Sequence, residues 1–380
     1  MKVVLVHEWL TNVAGSEKVL LQMAEIFPEA KIVVGVADPI LVDRILPRRS
    51  VTSLLSPKLP GILTKWVRYA PLLWLAWRFV RIDADIILIS SHFGAHQVCH
   101  RASGRTVVYY HTPMRIAWKF ELEKDRVSSV AGPLIRRLLP IIQYFDKSPA
   151  SKATVRLANS SETQGRLRDF YGCDSLVLHP PVSIRTASPM EVKTRETDYY
   201  LCLGRLVDYK RIDHAILACN QMGRRLVVAG TGPAAAYLKG IAGPTVEFVG
   251  QIDEDVKHQL LRDARALLFP GLEDFGIVPV EAMSYGTPVI ALGQGGVLDT
   301  VTQATGMLYD YSDVESLVSA IQTFELKSYD ADRIKRHATT FSEEQFRQRL
   351  RDTLGLTQET ARAQDAATPT ATHTMPLGNL

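Results

Sequence analysis

The stretch Phe269-Pro270-Gly271-Leu272-Glu273-Asp274-Phe275-Gly276-Ile277-Val278-Pro279-Val280-Glu281-Ala282 decides how the chain is read. Just upstream, Ala266 to Phe269 is a short apolar run of the kind that forms a buried strand, and Pro270-Gly271 ends it. From Ile277 onward the pattern is helical, with Glu281 about one turn inside. Glu273 therefore falls in a loop between the end of a strand and the start of a helix. At such a helix start the N–H groups of Phe275, Gly276 and Ile277 have no intrahelical acceptor and can donate to an anion or to sugar hydroxyls. Two carboxylates placed there can accept from paired hydroxyls, those of a hexose and of a ribose. The same spacing is equally satisfied by two helix-favouring acids near a positive dipole end, so the stretch alone leaves its function open.

The same alternation of strand, loop and helix extends in both directions. In the first half, strands are predicted near 2–7, 31–36, 85–90, 105–110, 154–159 and 175–179, with helices near 16–27, 62–79, 129–148 and 161–171. In the second half, strands near 199–203, 225–230, 245–249, 265–269, 288–292 and 306–309 alternate with helices near 210–222, 233–240, 254–263, 277–285 and 313–324. Short β-branched runs alternating with helices predict parallel sheets covered on both faces. The 380 residues suffice for two domains of about 150–200 residues. The expected division is 1–182, a polar linker that opens at His179-Pro180-Pro181, a second domain 183–340, a helix 341–357 crossing back to the first domain, and a disordered tail 358–380. Both domains are doubly wound α/β units facing a cleft, and ligands are expected at the carboxyl ends of the strands.

Charge divides along the same line. Residues 1–185 hold 25 Lys and Arg against 15 Asp and Glu, a net of +10, and the remainder a net of −6. A basic first domain favours an anionic surface. The four cysteines, Cys99, Cys173, Cys202 and Cys219, have no metal spacing and fit reduced thiols in a cytoplasmic protein. No signal peptide or spanning segment is read, and no His/Cys/Asp/Glu cluster has metal-ligand spacing.

Further motifs fall at predicted strand ends. In Leu203-Gly204-Arg205-Leu206-Val207-Asp208-Tyr209-Lys210-Arg211, Arg205 and Lys210 follow a strand and suit a diphosphate, although a solvated charged loop reads the same way. Ala229-Gly230-Thr231-Gly232-Pro233 has the Gly-x-Gly form with Ala235 in place of a third glycine, and is read as a tight turn beside a nucleotide rather than as an NAD site. Gly15, in the loop after the first strand, would let backbone approach a phosphate. His111, after the strand 105–110, is placed to face the cleft; a lone histidine is more commonly structural. Asp83-Ala84-Asp85 imitates a metal-binding motif but lies at the amino end of its strand, away from ligands.

Together these pieces resemble the retaining glycosyltransferases of family 4, with the GT-B fold. The resemblance rests on Glu273 and Glu281 within E-D-F-G-I-V-P-V-E-A, on G-R-L-V-D-Y-K-R (204–211), A-G-T-G-P (229–233), A-N-S (158–160) and L-H-P-P-V (178–182), and covers roughly residues 1–355. More narrowly, V-H-E-W-L (6–10), G-S-E-K-V-L (15–20) and Y-Y-H-T-P-M-R-I-A-W (109–118) resemble bacterial mannosyltransferases of O-antigen and exopolysaccharide assembly. The resemblance implies that Arg205 and Lys210 neutralise the departing diphosphate without a metal or other cofactor. It puts Glu273 by the transferred sugar, with the amides of Phe275, Gly276 and Ile277 on its hydroxyls. Glu281 would take the ribose, and the base would sit near Gln251, Ile252 and Lys257. Gly15 would face the diphosphate and His111 the sugar ring. Two departures stand out: Ser16 replaces a second glycine, and Glu8 stands where aspartate is expected.

Residues 58–81 carry five basic residues, three tryptophans and no acid, the composition of a segment lying in a membrane interface. Lys65, Trp66, Arg68, Trp74, Trp77 and Arg78 are the expected contacts, with Pro71 dividing the segment into two short helices; a buried helix pair is the competing reading. The second patch expected there runs from Pro133 to Phe145 and includes Arg136 and Arg137. The expected partners are a nucleotide-sugar donor, with GDP-mannose first and UDP-hexoses next, a lipid-linked glycan acceptor and an anionic membrane surface at the inner face of the plasma membrane, not nucleic acid. A sugar-nucleotide epimerase and a non-catalytic nucleotide-sugar-binding protein are the rival readings.

Overall fold

A computed structural model describes residues 1–64, 66–120, 131–184 and 198–356. Lys65, the side chain of Trp66, most of the linker and the tail 358–380 lie outside the described residues.

Two wholly parallel sheets organise the chain. The first runs β3-β2-β1-β4-β5-β6-β7, with β1 Val3–Leu10, β2 Lys31–Ala37, β3 Val51–Ser53, β4 Ile82–Ser91, β5 Ala102–Tyr110, β6 Val155–Ala158 and β7 Leu176–Val177. The second runs β10-β9-β8-β11-β12-β13, with β8 Tyr199–Leu203, β9 Arg225–Ala229, β10 Val246–Gly250, β11 Ala266–Phe269, β12 Val289–Leu292 and β13 Gly306–Tyr309. In both, the first strand of the domain is central and the order reverses beside it, which opens a crevice at the strand carboxyl ends. The central strands are buried on both faces, as in β1 and β11, and so read as continuous apolar runs rather than alternating ones. The strand β3 was not predicted: three half-exposed residues at a sheet edge carry too little pattern. Asp83 and Asp85 lie within the first residues of β4 rather than ahead of it, still at its amino end.

The helix Glu343–Leu354 ends the described chain and belongs to the first domain. Its Phe346, Leu350 and Leu354, spaced four apart, enter the same core as Leu20, Met23 and Tyr109. Each buried side chain of this size stabilises by roughly 2 kcal/mol. Ser342 caps the helix start through Gln345 N–H, and Arg105 donates to the carbonyls of Thr353 and Leu354 at its end. The two segments that cross between domains run side by side, Val182 N–H donating to Phe341 O at 2.9 Å.

The segment expected at a membrane interface forms a one-turn helix Trp66–Tyr69 and the helix Ala70–Phe79; the two short helices expected there are present, but they divide at Tyr69–Ala70, with Pro71 in the first turn of the second. Its face is corrected. Trp77 is fully buried, in the core with Leu73, Val98 and Ala95. Trp74 is half-buried against Phe145 at 6.2 Å, and Arg78 donates to Gln97 Oε1 and lies over the Phe145 ring. The outward stripe is instead Leu72, Leu75 and Phe79, while Arg68 stays exposed. Aromatic content alone could not separate the two faces, because a tryptophan suits a core as well as an interface. The neighbouring helix Ala131–Lys147 adds a second outward stripe, Leu134, Leu138 and Ile141, with Tyr144 beside it.

Replacing Trp77 by Ala is expected to cost the first domain about 3–5 kcal/mol in urea unfolding. Phe79→Ser on the same helix should leave it within about 0.5 kcal/mol.

Candidate active site

The carboxyl ends of β8 and β11 lie side by side in the second sheet and bring Lys210 against Glu273, Nζ to Oε1 2.5 Å. The close fit has a cause in the glycines around it. Gly204 ends β8 with φ +143°, and a Cβ there would stand 2.9 Å from Lys210 Nζ. A Cβ on Gly271 would fall 2.5 Å from Lys210 Cα. The lysine thus packs on bare backbone from two loops. The Gly-x-Gly turn proves to serve the same loop: Cβ atoms on Gly230 and Gly232 would collide with the carbonyls of Gly204 and Leu206. Arg205, between them, is exposed and has no partner among the described residues.

Behind Glu273, the loop after β12 supports the backbone. Gly296 N–H donates to Glu273 O at 2.9 Å, and a Cβ on Gly296 would lie 2.2 Å from Asp274 O. The helix Ile277–Ser284 then starts at Gly276, φ +85°. None of the N–H groups of Phe275, Gly276 and Ile277 is bonded to another described residue. Facing them is the start of the helix Gly15–Ile26: a Cβ on Gly15 would stand 2.8 Å from Ile277 Cδ1. Two helix N-termini, one from each domain, converge on the cleft and make it favourable for an anion.

Glu281, inside the second of these helices, sits between two ammonium groups, Lys257 Nζ at 3.3 Å and Lys18 Nζ at 3.7 Å. Burial works against the charge of Lys257, but Glu281 and Glu254 outweigh it and raise its pKa above the ordinary lysine value. Gln251, exposed, and Ile252, half-buried, lie between β10 and the helix Glu254–Asp263 that carries Lys257. Lys18 belongs to the first domain and was missed in the sequence, since nothing local ties it to Glu281. His111 follows β5 and bonds through Nε2 to Ser90 Oγ at 2.8 Å. Burial, with His92 and His7 nearby, pushes its pKa well below the ordinary value. Glu8 lines no cleft: it is fully buried, its Oε1 accepting from the backbone N–H groups of His92, Phe93, Gly94 and Ala95. It acts as an internal anion at the start of the turn Ala95–His100.

A further group of residues, several of them inside the quoted motifs, carries a role the sequence did not assign. Asp274, next to Glu273, bonds Arg115 Nη2 at 2.6 Å and also pairs with Arg166, both from the first domain. Arg115 additionally lies over the ring of Tyr209, beside Lys210. Ser160 Oγ donates to Asp274 O. Asp299 accepts from Ser161 N–H at 2.7 Å and pairs with His179 at 3.2 Å. Burial opposes ionisation of Asp274, yet Arg115 and Arg166 outweigh it and hold its pKa below the ordinary aspartate value.

Two wholly parallel, doubly wound sheets with these loops between them constitute the GT-B fold. The Anabaena protein HepE in complex with UDP superposes with a TM-score of 0.69 at 17% identity, over 93% of this chain and 100% of that one. Residues 185–341 match the family model described as glycosyl transferases group 1. The fold is thus of the GT-B class, and residues 185–341 are similar to the group 1 glycosyl transferases. Among curated relatives, an alpha-1,3/1,6-mannosyltransferase of Kluyveromyces lactis is 39% identical over 315 residues, 68% of this chain and 59% of that protein. A GDP-mannose-dependent monoacylated alpha-(1-6)-phosphatidylinositol monomannoside mannosyltransferase of Corynebacterium glutamicum is 32% identical over 140 residues, 33% of this chain and 37% of that protein. The chain thus matches less than two thirds of the length of these curated relatives.

Asp274 has a depressed pKa, so its contribution to domain closure is complete above the ordinary aspartate pKa and is lost as pH falls through the lower folded value. Scattering or a distance probe between the domains should therefore report opening only on acidification, and Asp274→Asn should open the cleft at neutral pH.

Proposed function

We propose that the protein is a retaining, metal-independent hexosyltransferase of family 4. It moves mannose from GDP-mannose to a lipid-linked or polysaccharide acceptor at the inner face of the plasma membrane, in cell-surface glycan synthesis. The observation that carries the reading is the Lys210–Glu273 pair at adjacent strand ends, with exposed Arg205 beside it and two helix N-termini, one from each domain, converging there. Glycosyl transfer builds negative charge on the departing diphosphate and positive charge on the anomeric carbon. Lys210 and Arg205 are cations suited to the first, and Glu273 is an anion suited to the sugar. Lys210 and Glu273 neutralise each other within the protein, and a bound donor divides them, the ammonium going to phosphate and the carboxylate to hydroxyls. Fixed charges and amides of this kind supply a large part of many catalytic effects. With no side-chain nucleophile called for, the acceptor attacks on the face the diphosphate leaves, and the leaving phosphate takes its proton. Glu281 releases a lysine to accept the ribose hydroxyls.

The donor assignment is supported by the mannosyltransferase relatives, one of them named for GDP-mannose and a phosphatidylinositol mannoside. Membrane contact is supported by the two outward stripes, Leu72-Leu75-Phe79 and Leu134-Leu138-Ile141, on helices that touch through Trp74 and Phe145, within residues 1–185 of net charge +10. No described helix is long and apolar enough to cross a membrane.

Purified protein should hydrolyse or transfer from GDP-mannose in preference to UDP-hexoses, with turnover unchanged by EDTA; loss of turnover with EDTA would refute the metal-independent reading. Lys210→Ala should lower kcat about a hundredfold. Leu75→Ser with Phe79→Ser should reduce co-sedimentation with anionic vesicles while leaving donor hydrolysis intact.

A further inference from the structure

A continuous line of side chains, buried at Glu17, His7 and Ser90 and half-buried at His111, runs beneath the first-domain wall of the cleft. It starts at Glu17, in the first turn of the helix Gly15–Ile26, whose Oε2 accepts from Ala14 N–H at 2.9 Å. Its Oε1 faces His7 Nε2 at 3.4 Å. His7 is fully buried in β1, and its Nδ1 is 3.0 Å from Ser90 Oγ on β4. Ser90 Oγ is in turn 2.8 Å from His111 Nε2, just past β5. The line follows from sheet register. His7 pairs with Ser90 and Ser90 with Tyr109, so three adjacent strands deliver their groups at one level.

The direction of each hydrogen bond can be worked out from the Glu17 end. Burial opposes ionisation of Glu17, but His7 and the backbone donors outweigh it and lower its pKa to about 2. Glu17 is therefore a carboxylate at neutral pH and can only accept. His7 Nε2 must then carry a hydrogen, and the line takes the ring to carry no second one, so that Nδ1 accepts. Ser90 donates its hydroxyl hydrogen to that nitrogen, which leaves the Ser90 oxygen to accept from His111 Nε2–H. A neutral imidazole has only one N–H. With that hydrogen on Ser90, His111 Nδ1 is bare.

We infer that Glu17, His7 and Ser90 are positioning residues that lock His111 in the tautomer with its hydrogen on Nε2, so that it meets a hydroxyl of the bound sugar through Nδ1 as an acceptor. The inference rests on the proposed glycosyl transfer. A hydroxyl that gives its hydrogen to a bare nitrogen keeps an electron-rich oxygen close to an anomeric carbon that is gaining positive charge. An imidazolium there would have the opposite effect.

The test is a substitution that reverses the line. In Glu17→Gln the amide oxygen must stay on Ala14 N–H, because that backbone group can only donate. The amide NH2 therefore turns to His7 Nε2, and every hydrogen bond beyond it changes direction. Two-bond proton–nitrogen NMR on the 15N-labelled full chain should show His111 with hydrogen on Nε2 in the unaltered protein and on Nδ1 in Glu17→Gln. The same substitution should lower kcat at least about tenfold with little change in donor KM. Ser90→Ala should leave His111 as a mixture of tautomers. An Nδ1–H or doubly protonated His111 in the unaltered protein, or an unchanged tautomer in Glu17→Gln, overturns the inference. Should a variant fold poorly, the spectrum of the unaltered protein decides. That spectrum needs no substrate, so absence of sugar transfer would refute the functional reading and leave the tautomer assignment standing.

Discussion

Asp274 is the constraint on which the cleft depends. A buried carboxylate must be paired, and both of its partners, Arg115 and Arg166, come from the other domain. The pairing is therefore satisfied only when the domains meet. Because Asp274 is the next residue after Glu273, the contact that closes the protein also positions the carboxylate proposed to meet the sugar. Breaking one partner of such a set leaves a charge buried without compensation, which makes the closed arrangement close to all-or-none.

The carboxylates of the site are all paired within the protein, while one cation is left over. Lys210 faces Glu273, Glu281 faces Lys18 and Lys257, and Arg205 is exposed beside them without a partner among the described residues. The surplus positive charge favours an anionic ligand, and a ligand bearing both a diphosphate and paired hydroxyls can replace each internal partner with a matching group. A ligand with only one of these would leave the other half of a pair stranded.

Glycine has a particular part in this arrangement. Gly204, Gly230, Gly232 and Gly271 stand where two loop backbones or a lysine stem come within van der Waals distance. The Gly-x-Gly turn, which in isolation suggests a phosphate cradle, is explained in this fold by the seating of the Gly204–Leu206 loop. The first domain achieves comparable rigidity with buried polar groups instead, Glu8 gathering four backbone donors and Ser90 joining two histidines.

The sequence by itself determined the two-sheet architecture, because parallel strands buried on both faces must be written as apolar β-branched runs separated by helical periods. Strands β8 to β13, the placement of Lys210 and Glu273 past strand ends and that of Glu281 inside the following helix follow from that pattern alone. Tertiary structure decided everything that depends on pairing across long separations. Arg115 and Arg166 are ordinary charged residues until the fold sets them on Asp274, and Lys18 is unremarked until it reaches Glu281. Trp77 reads like an interfacial residue until its helix turns that face inward. Periodicity encodes which side of an element is apolar, but not which distant element will cover it, and a charge acquires its role only from the partner that burial forces upon it.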